Sequence, residues 1–171
     1  MSQTKIFPLI FTTSLISLAF LLVASLAHAD TTGTVTATVT VQNVSLTVTD
    51  GSVAYGTLAM NSSAGTNGSD TQTITNNGNV AETFTIHGTN TAAWTLDSVN
   101  TTAEHYVHRF CVSGCTTPPT SYTALTTNEQ NVATGVAKDG TATFDLYLTT
   151  PQTTAVFTEQ SPNVTITATA T

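Results

Sequence analysis

Charge is what this chain has least of. Lysine and arginine together number three in 171 residues, against ten acids, and charged residues make up 8%. That excludes a basic footprint for nucleic acid, and anionic lipid surfaces should repel the chain. Tryptophan occurs once and cysteine twice. A dense disulfide framework is therefore excluded, and a hydrophobic core must hold the fold. Helix formers nowhere cluster with a 3.6-residue period beyond residue 29, which argues against helices there. The P-loop, the nucleophile elbow, H-E-x-x-H and G-x-G-x-x-G are all missing. No acid–base or nucleophile pair stands at a workable spacing, so the reading is of a non-enzymatic protein with no cofactor.

The first 29 residues stand apart. Lys5 is followed by an apolar run over 6–26 and then by Ala27-His28-Ala29. The small residues at Ala27 and Ala29 form an A-x-A site, which predicts a signal peptide over 1–29 cut between Ala29 and Asp30. The alternative is a retained anchor, because about 20 apolar residues can span a bilayer. Thr12, Thr13, Ser14 and Ser17 interrupt the run and favour cleavage. Removing 29 residues from 171 leaves 142, the length of one domain over 30–171. Only Arg109 and Lys138 then oppose all ten acids, a formal net charge of 2 − 10 = −8. Secretion or display at the cell surface is the expected localisation, with no stable membrane insertion after cleavage.

What the exported part has in plenty is threonine, a β-branched residue that favours strands. The centre of the pattern is 70–96, DTQTITNNGNVAETFTIHGTNTAAWTL. Val80, Phe84 and Ile86 share one parity, Glu82 is its polar break, and Thr83 and Thr85 point the other way. That is a strand with one buried and one wet face. Asn76-Asn77-Gly78-Asn79 should reverse or sharply bend the chain. Residues 34–41 (TVTATVTV) alternate without a break, and Leu46 and Val48 continue the apolar face after a shift at Gln42-Asn43. Further strands are expected over 53–58, 104–111, 121–125, 143–149 and 163–171, with 131–136 weaker, and a loop is expected over 61–69. About eight or nine short antiparallel strands, spaced by turn signals, predict an all-β, immunoglobulin-like sandwich. The expected core anchors are Val39, Leu46, Tyr55, Ile74, Phe84, Ile86, Trp94, Phe110, Phe144, Leu146 and Ile166, with Trp94 in mid-core.

Candidate chemistry is thin. Cys111 and Cys115, an even count in an exported chain, point to a disulfide at a hairpin tip. A free thiol pair or metal ligation is the alternative. His105, His108, Cys111 and Cys115 have the residue types of a zinc site. On a strand, however, His105 and His108 point to opposite faces. His87 falls on the outward parity of its strand. No D-x-D-x-D calcium loop is present, although distant acids on loops could still assemble one. The N-x-[ST] sequons, such as those at Asn43 and Asn100, arise by chance in so threonine-rich a chain.

Two features carry functional weight. The segments 34–41 and 163–171 are long, regular strands without lysine, proline or inward charge, the usual guards on an exposed edge. Either could add to a neighbour's sheet. Thr34, Thr36, Thr38 and Thr40, beside Thr165, Thr167, Thr169 and Thr171, would also make a flat threonine lattice of the ice-binding kind. The order TVTATVTVQNVSLTV, DGSVAYGTL, TNNGNVAETFTIHG, Trp94-Thr95-Leu96 and NVTITATAT resembles small exported β-sandwich proteins of bacterial surfaces. With the Y-G-T-L element at 55–58, the Trp94-Thr95-Leu96 triplet resembles WxL-type cell-wall domains, and the strand pattern is similar to TasA-like matrix-fibre subunits. These resemblances imply a structural surface module. Its partner would be a second copy of itself, or a cell-wall or surface polymer.

Overall fold

The computed structural model describes residues 32–171. The signal-peptide reading, with Ala29 and Asp30, lies outside the described residues. The chain divides into two units, Met1–Thr40 and Val41–Thr171. In the first unit, residues 32–40 are exposed and lie in no strand. The second unit is all-β, with no helix among the described residues.

Ten strands form two sheets in the second unit. They are β1 (Leu46–Thr49), β2 (Ser63–Gly65), β3 (Gln72–Asn76), β4 (Glu82–Gly88) and β5 (Thr95–Leu96). Then follow β6 (His105–Cys111), β7 (Thr123–Ala124), β8 (Gln130–Val136), β9 (Thr141–Thr149) and β10 (Val164–Ala170). The larger sheet runs β1-β3-β9-β6-β5, with β2 also paired to β9 and β7 to β6. The smaller runs β10-β4-β8. All pairs are antiparallel except β5 with β6, where Thr95 lies beside His105 in a parallel register. The expectation of antiparallel strands alone therefore fails at one pair.

The period-2 pattern explains the core. In β4, Glu82, Phe84, Ile86 and Gly88 are buried while Thr83, Thr85 and His87 lie on the other face. Phe84, Ile86, Ile74 of β3, Phe110 of β6, and Phe144 and Leu146 of β9 belong to one buried cluster. Leu46, Tyr55 and Ile166 are partly buried and pack against it. The Asn76–Asn79 turn carries the chain from one sheet to the other, so it bends rather than closing a hairpin. Buried Asn76 makes the corner, donating from Nδ2 to the carbonyls of Val80 and Val136, both at 2.8 Å. Its Oδ1 accepts the Gly78 N–H, also at 2.8 Å.

Four expectations fail here, each for a physical reason. Residues 34–41 form no strand, and Val39 is 91% exposed rather than a core anchor. Alternation makes a segment strand-competent, but a strand needs a ladder partner. Trp94 is half-buried rather than in mid-core, because its indole N–H seeks an acceptor and finds Thr154 Oγ1 at 3.3 Å. Residues 53–58 are not a strand: Val53 and Tyr55 pack against the core, but Gly56 at φ +69° breaks the extended backbone. The loop over 61–69 holds a strand, β2, where a Cβ on Gly65 would come within 2.8 Å of the Tyr147 ring. Small polar residues there permit close approach without announcing a strand.

Candidate functional site

The sandwich is closed on one side and open on another. β1 is an end strand of the larger sheet and β10 an end strand of the smaller. Between these edges lies a groove of about 1310 Å³. Leu46 and Val48 of β1, Val164 and Ile166 of β10, and Phe144 and Leu146 of β9 all face it. Residues 51–60 and 156–163 also line it, and neither segment contains a strand. At these margins Met60 is 51% and Phe157 79% exposed. Inward residues of β10 stay only partly buried, whereas Phe144, Leu146 and Leu148 of β9 are 3 to 5% exposed. The core lacks cover along the β10 edge.

Side chains rather than a ladder tie the lining segments down. Tyr55 Oη lies 2.8 Å from Nε2 of His108, which is 2% exposed and also faces the groove. Burial pushes the His108 pKa down to about 4, so the imidazole is neutral near pH 7, and burial pushes the Tyr55 phenol up. His108 Nδ1 has no hydrogen-bond partner. On the other margin, Glu104 accepts the Thr154 hydroxyl at 2.6 Å and the Ala155 N–H at 2.7 Å. These two bonds hold its carboxyl below the usual range, the Thr154 hydroxyl contributing most.

The remaining candidates disperse. Cys111 and Cys115 form a disulfide with a sequence separation of 4. His105 Nδ1 lies 2.9 Å from Asp97 Oδ2, while His108 is buried on the opposite parity of β6. The two histidines and two sulfurs therefore do not converge, and the described residues hold no group of three or more His, Cys, Asp or Glu placed to bind a metal. His87 Nδ1 lies 2.9 Å from Glu129 Oε1. The threonine lattice of two adjacent terminal strands does not form. Thr165, Thr167 and Thr169 of β10 lie instead beside His87, Thr85 and Thr83 of β4.

Sequence reasoning missed Glu82 as more than a break in a pattern. Its side chain is fully buried and Oε1 accepts the Ser45 N–H at 2.9 Å. The signal was present, since Glu82 sits on the inward parity between Val80 and Phe84. No protein-family model matches the chain, and no curated protein and no solved structure matches it.

Proposed function

We propose that the protein is a non-enzymatic structural subunit, exported to the cell surface, that self-associates by lending its N-terminal segment to a second copy. The borrowed strand is 34–40, and the receiving edge is β10. One observation carries this reading: an exposed, unpaired strand-competent segment exists in the same chain as an apolar groove beside a free strand edge. The two fit in kind. Val35, Ala37 and Val39 recur at every second residue, the spacing of one strand face, and the segment carries no charge to desolvate. Its seven residues would extend about 24 Å, the same as the seven residues of β10. Backbone hydrogen bonds to β10 would give affinity, and the valines would fill the groove. Lent head to tail, the segment builds an open filament where the rotation between copies does not close, and a ring or swapped dimer where it does.

Export is supported by the leader-like first 29 residues and is compatible with the disulfide. Size-exclusion chromatography and electron microscopy of the purified protein test the assembly. Filaments or concentration-dependent oligomers are expected, and a strict monomer at high concentration would contradict the reading. A second reading is supported by the groove's aromatic lining. Trp94, half-buried, and exposed Phe157 could instead stack on a wall glycan. Sedimentation with purified cell walls separates the two, since a glycan-binding module pellets with walls as a monomer.

A further inference from the structure

The chain just before β1 is held in a manner that a simple loop does not need. Asn77 N–H donates to the Ser45 carbonyl at 2.8 Å, and Asn79 N–H to the Asn43 carbonyl at 3.1 Å. The Asn79 side chain returns both contacts of a strand. Its Oδ1 accepts the Asn43 N–H and its Nδ2 donates to the Val41 carbonyl, each at 2.8 Å. Ser45 N–H goes to the buried Glu82 carboxyl group at 2.9 Å. Residues 41, 43 and 45 are thus gripped in turn, a continuation of the β1–β3 ladder after β3 has ended at Asn76.

The grip is built at some cost. Glu82 is a fully buried carboxyl group whose Oε2 has no hydrogen-bond partner, and burying an unpartnered polar atom is unfavourable. A Cβ at Gly78 would come within 2.2 Å of Glu82 Oε1 and 2.5 Å of the Asn43 carbonyl oxygen, so only glycine allows the turn to close on residue 43. Yet Asn43 and Val41 are exposed, and fixing them buries almost nothing. Core packing does not explain the arrangement. Fixing the root of a strand that must be delivered elsewhere does.

We infer that Asn79, backed by Gly78 and Glu82, is a positioning residue for assembly. It holds Val41–Ser45 extended, so that less chain freedom is lost when the residues before them dock. This inference rests on the strand-lending reading. It concerns the donor's root and not the receiving groove.

The test uses the full chain with Asn79→Ala, Asn79→Asp and Val39→Asp. Asn79 is exposed, so thermal midpoints near wild type are expected for both of its variants. Asn79→Ala should speed amide exchange at Asn43 about tenfold and raise the concentration needed for assembly by about the same factor. Asn79→Asp keeps the acceptor for the Asn43 N–H but loses the donor to Val41, and should fall between. Faster exchange with wild-type assembly, or unchanged exchange, would overturn the inference. So would an assembly loss matched by a fall in thermal midpoint, which would mark Asn79 as merely structural. Wild-type assembly by Val39→Asp would instead overturn strand lending itself.

Discussion

The two ends of the described chain carry almost the same sequence pattern and meet opposite fates. Residues 34–41 read TVTATVTV, and β10 with its neighbour reads VTITATAT. β10 pairs with β4 along all seven residues, from Val164 beside Gly88 to Ala170 beside Glu82. The N-terminal segment pairs with nothing as a strand, and Val35 and Val39 stand 92 and 91% exposed. Alternation therefore encodes readiness to be a strand and which side is apolar. It does not say whether the partner comes from the same chain. Even β10 is served on one edge only, which leaves Val164, Ile166 and Ala168 partly buried.

Substitutions along this gradient of cover should break the comparison into its parts. Phe84→Ala, in the fully closed core, should cost about 3–5 kcal/mol in denaturant unfolding. Ile166→Ala, on the uncovered edge, should cost nearer 2 kcal/mol in the monomer. A loss at Ile166 equal to that at Phe84 would mean the groove is already filled in the single chain.

Acid should act on the groove wall next. The unfolded chain protonates His108 near pH 6.5, while the folded chain resists until about pH 4. Below pH 6.5 the unfolded state therefore binds the extra proton. Stability should be full above that pH and should decline toward pH 4 by about 3 kcal/mol. Glu104 from about pH 4.5 downward, and Asp97, held down chiefly by its bond from His105, from about pH 3.8 downward, should add further losses. Unfolding titrations at pH 7 and pH 4.5 check this, and His108→Phe should flatten the profile between those values.

Reduction of Cys111–Cys115 should matter less. It closes a short loop, so unfolding with and without reductant should differ by about 2 kcal/mol, with the fold retained. Smallest of all, Val39→Ala should change monomer stability by no more than about 0.5 kcal/mol, because the side chain is already in water.

Much of this architecture was legible before any coordinates. Phe84, Ile86, Phe144 and Leu146 declare their burial by parity alone, and Asn76-Asn77-Gly78-Asn79 declares its bend by residue type. What stayed hidden depended on distant partners. Trp94 is placed by Thr154, Tyr55 by His108 and Glu82 by Ser45, and no local pattern encodes those meetings. The β5–β6 pair is parallel and only two residues long, too short to leave a period. The weak pattern over 131–136 became β8 because β4 supplies its ladder despite two register shifts. For the candidate site, the segment 34–41 was visible as strand-competent, whereas the groove that could receive it exists only once β1 and β10 are seen as edges.

Amide hydrogen exchange on assembled protein, compared with the same chain held dilute and monomeric, reaches the main claim most directly. Strand lending predicts that amides over 34–40 and the outward-edge amides of β10 become protected together on assembly, with the β9 amides unchanged. Assembly that leaves both segments exchanging at their monomer rates would contradict it.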